Sequence, residues 1–143
     1  MSPEAGGPGA HEVPVVAAVA MDADRFLVAL RPEGKRHGGC WEFPGGKRRP
    51  GETERGALER ELQEELQVKV TKVSDALHEA RDPDSPFVVR FLPVEIRGEP
   101  QATEHDDVRW VRRGSLAALP LAPADRHFVR HVLSPDGSSD RVP

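Results

Sequence analysis

The sequence predicts an α/β domain in which a mixed β-sheet lies between helices. Three observations carry that reading. Apolar, β-branched runs recur along the chain at residues 15–20, 26–30 and 87–96. One long helical pattern at 54–66 is interposed between them, and a second helical stretch at 124–133 follows the last strand.

At 143 residues and 15.7 kDa the chain suits one domain with a sizeable core. The expected layout is a disordered tail over 1–12, a folded domain over 13–133 and a second disordered tail over 134–143, both tails being rich in Gly, Pro or small polar residues. In chain order, 15–20 reads as a buried strand, and Asp22-Ala23-Asp24 connects it tightly to a second strand at 26–30. A basic loop, RPEGKRHGGC, then leads to Trp41-Glu42-Phe43-Pro44 and a sharp turn at Gly45-Gly46. Helix 54–66 takes Thr53 as its N-cap and Leu58, Leu62 and Leu66 as its apolar stripe. Residues 68–73 alternate as a half-buried strand, and the turn at 82–86 precedes the strand at 87–96, where Pro93 implies an edge or a bulge. A short strand at 108–111 and a short helix at 114–119 lead into the final helix.

Composition excludes several classes. A net charge of −4 is wrong for a dedicated nucleic-acid binder, which carries a basic stripe. The longest apolar run, 13–21, is interrupted by Pro14 and is too short to span a bilayer. The N-terminus lacks the basic-then-apolar order of a signal peptide, and the single cysteine, Cys40, fits a reducing compartment. A cytoplasmic protein without a membrane or nucleic-acid partner is the expectation. Cys40 has no base beside it in the sequence and reads as a bystander thiol. His127 and His131 stand four apart, but with no third zinc ligand evident they read as a surface pair. No G-x4-G-K-[ST] loop is present, so a P-loop mechanism has no support.

The charges on helix 54–66 ask for a special explanation. Glu61, Glu64 and Glu65 are related by i,i+3 and i,i+4 and gather on one face. Like charges at that spacing destabilise a helix by roughly 0.2–0.5 kcal/mol per pair. A hard divalent cation, Mg²⁺ or Mn²⁺, reverses the sign because it seeks carboxylate oxygens. The alternative is a solvated face paired with Arg55, Arg60 and Lys69. The basic loop has two readings as well, a solvated loop or a phosphate clamp. Arg31 is the best placed for the second, at a strand end with a guanidinium that can grip phosphate bidentately.

Taken together, Gly46, Glu52, Arg60, Glu61, Leu62, Glu64 and Glu65 fit the pattern G-x5-E-x7-R-E-U-x-E-E, with U aliphatic. A chance match in a chain of this length is on the order of one in a million at average composition. The pattern resembles the Nudix box, the signature of hydrolases that cleave nucleoside diphosphates linked to another group. One position departs from it: the family glycine before Val68 is Gln67 here. A left-handed residue is common at that point of a helix, where Gln costs on the order of 1 kcal/mol. Glu42-Phe43-Pro44-Gly45-Gly46-Lys47 is similar to the MutT branch, and the stretches at 102–105 with Trp110 and at 120–125 resemble bacterial CTP pyrophosphohydrolases of that branch.

The resemblance implies an α/β/α Nudix sandwich with a mixed sheet over 13–133. It implies that Glu61, Glu64 and Glu65 hold Mg²⁺, for which Mn²⁺ can substitute, with a backbone carbonyl of Gly45 or Gly46. Arg60 and Glu52 would pair and orient the helix. Glu104 would supply a further carboxylate as metal ligand or general base, its alternative being a surface acid. Lys47 would neutralise a phosphate. Trp41 or Phe43 would stack on the base, although with seven Trp and Phe residues in all the core needs them too. Asp125 would read the base edge as a hydrogen-bond acceptor, or cap the last helix, or both. The implied reaction is Mg²⁺-dependent hydrolysis of a nucleoside triphosphate, of CTP, 5-methyl-dCTP or 8-oxo-dGTP type, to the monophosphate and pyrophosphate. A pyrophosphatase of ADP-ribose or a related diphosphate derivative, and a catalytically silent nucleotide-binding module, are the two rival readings.

Overall fold

The computed structural model describes residues 12–133. The tails expected at both ends lie outside them, apart from Glu12, which pairs with Arg81. The elements are β1 (Val13–Asp22), β2 (Arg25–Leu30), β3 (Trp41–Glu42), β4 (Gly45–Lys47), α1 (Glu54–Leu66), β5 (Lys69–Val73), β6 (His78–Arg81), β7 (Phe87–Arg97), β8 (Asp107–Arg112) and α2 (Pro123–Phe128). A 3₁₀ segment, Arg113–Ala118, precedes α2, and a wider π-helical turn, Val129–Leu133, extends it.

The sheet is mixed and open, with the order β3-β2-β1-β7-β5. Its centre is the parallel pair β1 and β7, in register from Val13↔Phe87 to Ala20↔Val94. All other pairings are antiparallel, including β8 on β2 and β6 on β7. β1 is buried on both sides, which is why it reads as a continuous apolar run rather than an alternation. Its Ala17 and Val19 join a core with Phe43, Phe91 and Phe128 beneath α2. Its Val16, Ala18 and Ala20 join a second core with Leu58, Leu62 and Leu66 of α1. Helices therefore cover both faces, as the sequence predicts.

α1 begins and ends as its residues dictate. Thr53 is extended and its hydroxyl accepts from the Gly56 N–H at 2.9 Å. Gln67 closes the helix in the left-handed region, φ 60° and ψ 35°, with its N–H on the Gln63 and Leu62 carbonyls.

Two local expectations are corrected. Gly45-Gly46 is not a sharp turn but part of strand β4, paired with Ala17 and Val16 of β1. The glycines are needed for closeness, since a Cβ on Gly45 would lie 1.9 Å from the Val16 carbonyl oxygen. Pro93 does not mark an edge strand: β7 has β1 along one side and β5 and β6 along the other. It falls where β6 gives way to β5, and its own carbonyl accepts from Ser74 N–H there at 2.9 Å. The missing N–H faces a gap in the ladder, next to a register shift between Val70 and Lys72.

Candidate active site

A single ion pair fastens α1 to the loop before it. Arg60 Nε donates to Glu52 Oε2 at 2.8 Å and Nη2 to Oε1 at 2.9 Å, the two-pronged geometry a guanidinium and a carboxylate favour. Nη2 also reaches the Lys47 carbonyl at 3.0 Å, and Nη1 reaches Glu61 at 3.0 Å. Glu52 further accepts the Arg49 N–H at 2.8 Å. The Arg60 bond, helped by that N–H, holds the Glu52 carboxyl down at about 2. Arg60 and Glu52 are thus paired in the structure.

Glu61 and Glu65 project from α1 toward β4. A Cβ on Gly46 would lie 2.4 Å from the Glu61 carboxyl carbon, so only glycine lets that carboxylate rest on the β4 backbone. Glu65 is 7% exposed, and its buried Oε1 has no hydrogen-bond partner. Burial, then hydrogen bonding with the Glu61 carboxyl, then the charges of Glu42, Glu61 and Glu104 push its carboxyl up to about 10. An orphaned acidic oxygen among other acids is the environment that a hard cation would satisfy, and the donors fit such an ion. Among the described residues, however, no three acidic, His or Cys side chains converge as a preformed metal cage. Glu61 is turned toward Arg60, and Glu64 stands half exposed on the outer side, 3.7 Å from the same arginine.

These groups open on a cleft of about 460 Å³, within the range of small-ligand sites. Glu61 and Glu65 line it with Gly45, Gly46 and Lys47, Glu61 lying against Gly46; Arg31, Phe43 and Asp125 line it too, Asp125 bonded to the Phe43 N–H. Glu64, Glu104 and Trp41 are not in its wall. Glu104 is exposed, but its charge reaches Glu65. Its loop is stapled to the end of α1 by Thr103, whose hydroxyl meets the Glu64 and Glu65 carbonyls at 2.8 and 2.6 Å.

The base-contacting expectations need correction. Trp41 cannot be a stacking platform, because its ring is buried with the Arg109 guanidinium 5.1 Å above it. Phe43 is 2% exposed and packs edge-on against Phe26, Phe91 and Phe128, so it forms cleft wall rather than a free face. Asp125 is not the N-cap of α2; Ala122 holds that position and has no side-chain cap. The Asp125 carboxyl instead accepts the Phe43 N–H at 2.8 Å. Burial and then the nearby Glu42 raise that carboxyl well above the usual range.

Sequence reasoning missed Glu42 and His105. Glu42 accepts from Arg31 Nη1 at 3.2 and 3.3 Å and from His105 Nε2 at 2.8 Å, tying the β2–β3 loop to the loop before β8. Both lie in the MutT-like stretches, 42–47 and 102–105, where the neighbouring Phe43 and Glu104 were given roles and they were not.

The arrangement is an acid-bearing helix packed on a glycine strand above a cleft in a mixed sheet. The NUDIX domain model matches residues 11–132. The chain is 37% identical over 118 residues to the putative 8-oxo-dGTP diphosphatase 2 of Mycobacterium tuberculosis, covering 80% of this chain and 84% of that protein. It is 35% identical over 116 residues to the CTP pyrophosphohydrolase of Escherichia coli, covering 79% and 85%. A solved MutT structure, from Aliivibrio salmonicida or Vibrio cholerae, superimposes with a TM-score of 0.72 at 33% identity over 85% of this chain and 97% of that one. The chain belongs to the Nudix family. Within it the protein is a MutT-like pyrophosphohydrolase, a hydrolase acting on acid anhydrides. Nudix hydrolases generally work with a divalent metal ion.

Proposed function

We propose that the protein hydrolyses a nucleoside triphosphate to the monophosphate and pyrophosphate in a Mg²⁺-dependent reaction. The observation that carries this reading is one cleft with two chemically distinct parts: paired acids on a glycine strand, and a buried carboxyl beside a backbone N–H. The first suits a metal–phosphate group, the second a base edge. The relatives' names, 8-oxo-dGTP diphosphatase and CTP pyrophosphohydrolase, support a triphosphate over ADP-ribose.

Glu61, Glu64, Glu65 and Glu104, with the Gly45 or Gly46 carbonyl, would hold the ion. When bound it supplies positive charge that offsets the repulsion between these carboxylates and the phosphates. Arg60 and Glu52 keep α1 at its distance from β4. Arg31 and Lys47 present cations to the phosphates. Water attacks an interior phosphorus, the bridging P–O bond breaks, and Glu104 or one of the helix glutamates takes the proton. Asp125, anchored by the Phe43 N–H, would present its carboxyl to the base edge as a hydrogen-bond acceptor.

No helix among the described residues is long and apolar enough to cross a membrane. Nucleotide-pool sanitation in the cytoplasm is the role that the resemblance to 8-oxo-dGTP diphosphatases suggests.

The test is pyrophosphate release with Mg²⁺ across CTP, 5-methyl-dCTP, 8-oxo-dGTP and ADP-ribose. Release from a triphosphate is expected; AMP from ADP-ribose alone would replace the reading. Glu65→Gln should lower kcat by at least about a hundredfold with the circular dichroism spectrum retained. Unchanged turnover in that variant would sink the assignment.

A further inference from the structure

Three acidic residues are buried among the described residues: Glu65, Asp125 and Asp82. The first two belong to the chemistry above. Asp82 lines the same cleft from the turn between β6 and β7 and has no part in that scheme. A buried carboxylate gives up its hydration and is retained only where other groups replace the water. Here they come from the distant β2–β3 loop. Arg36 Nε donates to Oδ2 at 3.0 Å, and His37 Nε2 lies 2.9 and 3.1 Å from the two oxygens. Arg36 Nη2 adds a bond to the Pro83 carbonyl at 3.2 Å. The turn is itself fixed, with Asp82 N–H on the Phe87 carbonyl at 3.0 Å and Ser85 Oγ on the Asp82 carbonyl at 2.8 Å.

The loop closes on itself through Gly39 N–H on the Arg31 carbonyl and Arg31 N–H on the Cys40 carbonyl, both at 2.9 Å, but the Arg36 side chain takes its direction only from the Asp82 turn among the described residues. His37 is left-handed at φ 59°, a conformation unfavourable for a residue with a Cβ, and Gly34 and Gly39 are left-handed beside it. As a surface ion pair Arg36–Asp82 would contribute little to stability, since the arginine is 45% exposed. Its geometric effect is larger. With Nε and Nη2 committed to the turn, the guanidinium is fixed in direction, and its Nη1 has no partner among the described residues. Arg31 and Lys47 line the same cleft.

We propose that Asp82 is a positioning residue that clips the Arg36–His37 pair at the mouth of the cleft, so that the remaining N–H edge of Arg36 meets the outer phosphates of the substrate. The proposal rests on the triphosphate reading of the cleft. A carboxylate that merely competed with phosphate for Arg36 would have the opposite effect when removed, so the sign of one measurement separates the two.

The probe is inorganic tripolyphosphate, bound in the presence of EDTA at pH 7 and followed by calorimetry. Wild type is expected to bind it, and Asp82→Asn to bind it about tenfold more weakly, with Asp82→Glu recovering part of the loss. Arg36→Ala should match Asp82→Asn, and the double variant should be no worse than either alone, because both remove one contact. In turnover, Asp82→Asn should raise KM about tenfold with kcat within about threefold of wild type, a split that a general loss of structure would not give. Binding that is unchanged or tighter in Asp82→Asn, additive losses in the double variant, or no tripolyphosphate binding by wild type would each overturn the proposal. If wild type turns over no triphosphate while tripolyphosphate binding remains sensitive to Asp82, the triphosphate reading fails and the clip stands.

Discussion

Gln67 occupies the left-handed position that ends α1, with φ 60° and its N–H on the carbonyls of the last turn. A side chain there costs roughly 1–2 kcal/mol from Cβ crowding. Glycine removes that cost but gives the unfolded chain more freedom, which returns about 0.4–1 kcal/mol. Gln67→Gly should therefore stabilise the protein by about 0.5–1 kcal/mol, raising Tm by about 1–4 °C. Turnover should be unaffected, since Gln67 is exposed and outside the cleft wall. A fall in Tm would show that the Gln67 side chain makes a compensating contact. This residue was legible because the pattern around it fixed its place at the helix end. Glu61 and Glu65 were legible for the same reason, being spaced on one helix. Glu42, His105 and Asp82 were not, because each acts through partners far away in sequence that only the fold brings near.

α2 is held to the sheet partly by histidines. His78 on β6 lies 2.7 Å from His127, Nε2 to Nδ1, and the His127 and His131 rings stack at 4.0 Å between centroids. His78 is the third histidine that sequence reasoning lacked, yet stacked rings do not aim their nitrogens at a common centre, and no metal-holding group forms there among the described residues. The cluster acts instead through protons. Burial, then the neighbouring His127 and His131, lowers the His78 pKa below its ordinary 6.5. The unfolded chain therefore binds more protons than the folded one once pH drops below about 6.5. The stability contributed by neutral His78 is present above that pH and is lost as pH falls through and below it. From pH 7.5 to 5.5 the Tm of His78→Phe, which can pack on Phe91 and Phe128 without titrating, should rise relative to that of wild type. Glu65 and Asp125 contribute the opposite trend in both proteins. Equal slopes in the two proteins would exclude the cluster as the cause. Among elements, α1 was legible down to its Thr53 cap because thirteen residues display both period and cap. β4 and β6, at three and four residues, are too short to show a period, and their existence follows from what β1 and β7 offer as partners.

For the molecule as a whole, the layers were legible but the strand order was not. Alternation tells which side chains point to which face, whereas the parallel union of β1 and β7 depends on how α1 and β2–β6, which lie between them in sequence, pack. That packing concentrates acids in one place. Glu42, Glu61, Glu65 and Asp125 all line the cleft, with Arg31 and Lys47 as the nearer cations. Burial first, and the neighbouring acids after it, disfavour charged carboxylates there, most visibly at Glu65. A divalent ion that binds only the folded chain offsets this, and mass action then stabilises the fold by about 2.7 kcal/mol at a concentration a hundred times the Kd. For a domain of this size the corresponding rise in Tm is on the order of 5–10 °C. Thermal unfolding with increasing MgCl₂ at constant ionic strength should show that rise, and EDTA should reverse it. NaCl at the same ionic strength should not reproduce it, because screening of a buried cluster is weak. Glu65→Gln should start from a Tm no lower than wild type, having no carboxyl to bury, and should gain much less from Mg²⁺. An equal Mg²⁺ shift in both proteins would place the ion elsewhere on the surface and remove Glu65 from its site.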